Sequence, residues 1–395
     1  MIGRLIAYIG CYSDGNPAGG GIHVLDVSAD GTRLTRLSQV PEPAEAGFLA
    51  YAPELATLYA VDERKTDGRG PAGPAASVYA YAVDPADGGL RLVNSRTAPG
   101  AFPCYLTVSE SRRVLMTANH GSFDHIERVV AEPGGGWTVR YEYDDSTVLL
   151  YDLDRDGALA DLRDARVLDG HGPDPNGSPQ VGGHGQASAH AHSAVLDPSG
   201  RYVLVCDKGT DQILVLSLDD GLKTVSVYQC RPETGPRHLV FDPQSGHAFV
   251  TCEFSSRLMS LAFDPVDGSL TLLDEQLSTA PDYRGPNEPA DVRIHPGGRF
   301  VYVNNRGEDS LAWFAVGTDG RLSRSGHVAL GRSLHPGVAA RSFAFDPTGT
   351  FLLVADRPAN LVRSFAVDAS DGSLRPVAEI ATPQPACVAF AGIVL

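Results

Sequence analysis

No run of about 18 consecutive apolar residues occurs in the chain, which excludes a helix that spans a membrane. CxxC pairs are missing as well. The six cysteines, Cys11, Cys104, Cys206, Cys230, Cys252 and Cys387, lie scattered, several inside apolar runs where cysteine acts as a small buried hydrophobe. A reduced, cytoplasmic protein is the expectation. Positive charge is in short supply: 32 Lys+Arg against 48 Asp+Glu give a formal charge of -16. That balance argues against nucleic acid or an anionic membrane as partner, since both reward basic patches. A small anionic substrate is still accommodated if a few arginines converge. EF-hand spacing, a P-loop and a GxSxG elbow are all lacking, so calcium, nucleotide and serine-hydrolase chemistry have no motif to rest on. Met1 to Tyr12 carries one Arg and a short apolar run broken by Gly10 and Cys11, and reads as a β-strand rather than a cleavable signal.

What is present is repetition. The 395 residues exceed an ordinary domain, so internal repeats are sought before the chain is divided. One mark is an apolar run with a polar end, ending at Cys11, Asp62, Asn119, Asp207, Cys252, Asn305 and Asp356. A second is a polar turn with glycine after an alternating run, centred on Gly31, Gly88, Gly157, Gly221, Gly268, Gly320 and Gly372. Glycine suits such hairpins because it accepts the positive φ that they need. A third is a short run closed by a turn, as in His238-Leu-Val-Phe-Asp-Pro243 and Ser342-Phe-Ala-Phe-Asp-Pro347.

Together these marks predict four strands per unit. The fold class expected is all-β: a seven-bladed β-propeller with four antiparallel strands per blade. Residues 1–395 then form a single domain. Cys387 to Phe390 supplies the innermost strand of a blade whose other three strands come from residues 6–38. The ring closes through this pairing of N- and C-terminal strands, leaving no free edge. Only two tryptophans and no Trp-Asp dipeptide set the repeats apart from WD-type interaction blades.

The strand cycle also says which side chains share a mouth of the channel. Residues before a first strand and after a second strand emerge on the same face. This places Arg237 nearly opposite Glu253, and gathers Glu63, Asn119, His120, His190, His192, Asp207, Lys208, Asn305, Arg306, Arg341 and Asp356 nearby. The long insertions 64–77, 120–146 and 169–189 fall on that face, where functional loops concentrate. Gly170 to Gly185 is a candidate lid. Each group has a plainer reading too. Arg237 and Glu253 make an equally good blade-to-blade ion pair. His190 and His192, two apart, share a strand face, and with His184 suggest a metal, but no zinc ligand pattern accompanies them. No metal and no cofactor are expected.

These motifs resemble the propeller-type lactonase family, which includes bacterial 6-phosphogluconolactonases and fungal carboxymuconate cyclases. The carrying residues are Ser188-Ala-His-Ala-His-Ser193, Asp207-Lys-Gly-Thr-Asp211, Gly235-Pro-Arg-His238 followed by Glu253, Tyr302-Val-Asn-Asn-Arg-Gly307 and Ala340-Arg-Ser-Phe343. The resemblance covers nearly the whole chain in order. It implies His190 or His192, Arg237 and Glu253 as catalytic residues and Arg306 as a substrate-binding residue; from their place at the same mouth, Arg341, His120, Asp207 and Asn305 are expected to bind substrate as well. Asn119-His120-Gly121 replaces the family's Asn-Tyr-Gly, and Gly185-Gln186 replaces an Arg-Gln step. The implied activity is hydrolysis of a small anionic lactone, 6-phosphogluconolactone first, by a monomer or weak homo-oligomer. A histidine near neutrality or Glu253 is the expected base. An intramolecular cyclase or lyase of the carboxymuconate type, and a non-catalytic binding propeller, are the alternatives.

Overall fold

The computed structural model describes residues 4–16, 19–66, 73–173, 185–334 and 337–393. It contains seven four-stranded antiparallel sheets arranged as blades, and a separate two-stranded hairpin. The innermost strands are Ala46–Ala52, Pro103–Ser109, Ala191–Leu196, Pro236–Phe241, Glu288–Ile294, Ser342–Phe345 and Pro385–Ile393. Each touches the next around the ring, and the last touches the first. Among the described residues the sole helix is a 3-10 turn at Arg357–Ala359, and no helix is long and apolar enough to cross a membrane.

Burial grades outward in each blade. Second strands such as Thr57–Asp62, Tyr202–Asp207 and Phe351–Asp356 are buried at every position, because sheets pack on both their faces. Fourth strands such as Leu34–Val40 and Lys223–Gln229 are largely exposed, and their polar alternation suits a rim. The seven predicted turn glycines all have positive φ, from 69° at Gly31 to 80° at Gly157. Several of these turns lock onto the neighbouring blade: Tyr8 donates to the Gly88 carbonyl at 2.9 Å, Tyr59 to Gly157 at 2.7 Å and Tyr302 to Gly372 at 2.6 Å. A side chain at Gly157 would place its Cβ 2.2 Å from the Thr57 hydroxyl, so the turn needs glycine for space as well as for φ.

The ring closes as expected. Arg4–Cys11 pairs antiparallel with Pro385–Ile393, in register from Arg4 opposite Ile393 to Gly10 opposite Cys387. One sheet therefore holds both ends of the chain. The 120–146 insertion is not a simple loop: His125–Ala131 and Trp137–Tyr143 pair as a hairpin standing off the second blade. Residues 67–72 of one insertion, and 174–184 of the candidate lid with His184, lie outside the described residues.

Candidate active site

Strand geometry delivers the charged ring. Pro236–Phe241 pairs with Ala248–Cys252 through Pro236 opposite Cys252, so Arg237, one residue inside, and Glu253, one residue beyond, meet at one end of the blade. Arg237 Nε lies 2.7 Å from Glu253 Oε2, with both side chains 1% exposed. Lys208 follows Tyr202–Asp207 in the neighbouring blade, and its Nζ reaches Glu253 Oε1 at 2.8 Å. Arg306 closes Phe300–Arg306 on the other side and brings Nη2 to 3.0 Å from Glu253 Oε2 and 3.4 Å from Glu288 Oε2. Three blades thus send one cation each to a single carboxylate.

These side chains line a cavity of about 380 Å³ together with Glu63, Phe102, Cys104, His120, Phe123, Asp124, His192 and Arg341. On its far wall Arg341 Nη2 pairs with Glu63 Oε1 at 3.0 Å, and Tyr12 donates to Glu63 Oε2 at 2.6 Å. Phe123 stands with its ring centroid 5.7 Å from Lys208 Nζ, a cation–π contact that shields the ammonium. Around Glu253, three cations face two carboxylates, Glu253 and Glu288, so this wall keeps a net positive charge in a chain that is negative overall. Such a wall attracts an anion.

A family model described as "Lactonase, 7-bladed beta-propeller" matches residues 6–390. The chain belongs to this lactonase family. It is a lactone hydrolase. The chain is 26% identical to a 6-phosphogluconolactonase of Bacillus subtilis (strain 168), over 98% of each chain. It is 27% identical to one of Formosa agariphila, over 93% of this chain and 94% of that one. A solved protein from Lactobacillus plantarum superposes with a TM-score of 0.79 at 27% identity, over 98% of this chain and 99% of that one. The periplasmic gluconolactonase of Pseudomonas aeruginosa superposes at 0.80 with 24% identity, over 99% and 100%, and shares the fold.

Within this lactonase the expected residues divide. Arg237, Glu253, Arg306, Arg341, His120 and His192 reach the cavity. His190, Asp207 and Asn305 do not line it. His190 is wholly buried, with Nδ1 2.9 Å from the His120 carbonyl oxygen and its ring stacked on His120 at 4.4 Å. Asp207 accepts from the backbone N–H groups of His190 and Gly209 and from the Thr210 hydroxyl, so it fixes the segment carrying Lys208. Asn305 donates to the Ser278 carbonyl and accepts from Asn287, tying neighbouring turns together. The two histidines fail to share a face because the pairing register shifts between Ala191 and Ser193, and His190 precedes the strand. Lys208, which the strand cycle puts at the mouth, joins the site although the resemblance does not single it out. Its position directly after a second strand, like that of Glu253, was the available signal.

Electrostatics overturn the expectation of a histidine poised near neutrality. Burial holds His190 down to about 4, and burial followed by the charge of Arg237 holds His192 well below its ordinary value. Burial does the same to His120, helped by His190. All three are neutral at pH 7. Burial alone would raise the Glu253 carboxyl, but Lys208, Arg306 and Arg237 outweigh it and keep it ionised well below the usual range. With both its oxygens engaged by these cations, Glu253 is a poor base in the free site. Burial, then Arg306, lowers Arg237 to about 10, which leaves it charged at pH 7. Among the described residues, no group of three or more His, Cys, Asp and Glu is arranged to hold a metal ion.

Proposed function

We propose that this cavity hydrolyses 6-phosphogluconolactone, with His192 as general base and the cationic wall as anion and oxyanion site. The observation that carries the reading is the convergence of Lys208, Arg237 and Arg306 on one carboxylate beside a neutral imidazole. The Cys104 sulfur lies 3.7 Å from His192 Nδ1, and among the described residues His192 Nε2 has no hydrogen-bond partner. Nε2 is therefore the ring nitrogen open to water or substrate.

In this reading His192 Nε2 takes a proton from water as the water oxygen attacks the lactone carbonyl carbon. The carbonyl electron pair moves onto oxygen, where Arg237 and Lys208 offset the charge. Collapse breaks the bond between the acyl carbon and the ring oxygen, and His192 returns its proton to that departing oxygen. Glu253 aligns the three cations. Arg306 and the more exposed Arg341 hold the phosphate through charge-assisted hydrogen bonds. An arriving dianion also raises the His192 proton affinity, since its negative charge opposes the effects of Arg237 and Lys208. The names of the Bacillus subtilis and Formosa agariphila relatives support this substrate, and six buried, unpaired thiols suit a reducing compartment.

The test is turnover of 6-phosphogluconolactone against unphosphorylated gluconolactone, corrected for spontaneous hydrolysis. Preference for the phosphorylated substrate, abolished in Arg306→Ala, is the expected result. Equal turnover of both lactones by the native protein contradicts the substrate, and no acceleration of either contradicts the site.

A further inference from the structure

We propose that His238, held in one tautomer by Asp291, is a positioning residue for Arg237, fixing the guanidinium so that Nη2 is the nitrogen offered to the lactone carbonyl oxygen. This rests on the reading of Arg237 as part of the oxyanion site. Neighbours in a strand normally point to opposite faces, yet Arg237 Nη1 and His238 Nε2 lie 3.2 Å apart. A bulge brings them together. Pro236 pairs with Cys252 and Leu239 with Val250, so Arg237 and His238 stand opposite Thr251 alone. Extra residues of this kind re-aim side chains and cluster beside active sites. His238 itself is buried and does not line the cavity, so it acts on substrate only through its neighbour.

Hydrogen-bond direction fixes the tautomer. An arginine nitrogen can only donate, so His238 Nε2 accepts from Arg237 Nη1 and carries no proton. His238 Nδ1 lies 3.1 Å from Asp291 Oδ1, so the ring proton sits on Nδ1 and is donated to the carboxylate. The other tautomer would set N–H against N–H at one end and a lone pair against a carboxylate at the other. A doubly protonated ring would face the Arg237 cation, and burial followed by that charge holds His238 down to about 3. Asp291 is itself tied down: Oδ1 also accepts from the Val292 N–H at 3.0 Å, and Oδ2 from Arg293 Nε at 3.2 Å. The imidazole is wedged as well, edge-on to Tyr105 with ring centroids 5.0 Å apart. Glu253 takes Arg237 Nε at 2.7 Å and His238 takes Nη1, so two anchors define the plane of the fork. Among the described residues Nη2 has no hydrogen-bond partner, which leaves it to donate to a ligand. A donor placed in advance is worth most where charge develops during the reaction.

Initial rates test this, on whichever of 6-phosphogluconolactone and gluconolactone the native protein turns over faster, with His238→Phe, Arg237→Met and the double variant. His238→Phe removes the acceptor and keeps a ring. It should lower kcat by on the order of a hundredfold, the cost of about 1 Å of misplacement, with KM nearly unchanged. Arg237→Met should lower kcat by about 10²–10³-fold. The double variant should be no slower than Arg237→Met, because His238 acts through that side chain; a ring that merely supports the fold would add its own loss. His238→Gln, whose amide oxygen can stand in for Nε2, should recover about tenfold of the His238→Phe deficit. Histidine nitrogen NMR spectra of isotope-labelled native protein, with His238→Gln for assignment, should show a proton on Nδ1 and none on Nε2, a readout that needs no turnover. A slow Arg237→Met beside a native-like His238→Phe, a double variant slowed by the product of both effects, no recovery in His238→Gln, or a proton on Nε2 overturns the proposal. Native rates in Arg237→Met would contradict the oxyanion site itself, and this proposal with it.

Discussion

Glu253→Gln removes the charge on which three blades converge, and its effect follows from the geometry. Oε1 takes Lys208 at 2.8 Å, and Oε2 takes Arg237 at 2.7 Å and Arg306 at 3.0 Å, with all four side chains no more than 8% exposed. The amide keeps the shape but leaves three buried cations facing a neutral group. Breaking a buried pair from one side costs about 3–5 kcal/mol, and a third cation places this case at the upper end. The folded carboxyl is held well below its unfolded value of about 4.3, so its stabilisation is complete above that value. It is lost only as pH falls through the lower folded value. The deficit of the variant should therefore be constant from pH 8 to about 5 and shrink in stronger acid. Chemical denaturation of native and variant protein at several pH values measures it. Adding Lys208→Met to Glu253→Gln should recover part of the loss, with a coupling of about 0.5–3 kcal/mol. A Glu253→Gln protein as stable as the native one, or strict additivity with Lys208→Met, refutes the reasoning.

Other expectations concern turnover. His192→Asn should lower kcat by about 10²–10⁴-fold with little change in KM, as loss of a general base does, measured by initial rates on 6-phosphogluconolactone. The pH profile of kcat/KM reports the free enzyme. Because burial and Arg237 keep His192 neutral well below its ordinary value, no inflection should appear near pH 6.5, and the acid limb should lie lower. Arg341→Met should raise KM by roughly tenfold to a hundredfold, the equivalent of one charge-assisted hydrogen bond of about 1.5–3 kcal/mol, and leave kcat nearly unchanged.

Much of this was legible in the residues because propeller geometry is repetitive. Glycines at Gly31 to Gly372 mark one turn per blade, and each apolar run with a polar end marks a second strand, so the ring and its closure by the two termini follow from counting. The same counting brought Arg237 and Glu253 to one mouth, since their offsets from a shared turn are nearly equal. Counting does not say which way a side chain turns after it leaves the strand. A register shift between Ala191 and Ser193 sends His192 to the cavity and His190 behind it. Backbone amides capture Asp207, and neighbouring turns capture Asn305. Protonation was equally hidden, because it depends on burial and on charges from other blades: the carboxylate proposed as a base is pinned by Lys208, Arg306 and Arg237. Within the 120–146 insertion, the alternation of Trp137, Val139, Tyr141 and Tyr143 is the strand pattern that betrays the hairpin, but its turn lacks the blade-to-blade spacing that marks the other strands.

Calorimetric titration of 6-phosphogluconate, the open acid, into native and Arg306→Ala protein tests the cationic wall most directly. Saturable binding to the native protein, weakened by added salt and lost in the variant, is the predicted result. Binding that is equal in the two proteins, or none to either, would contradict the account.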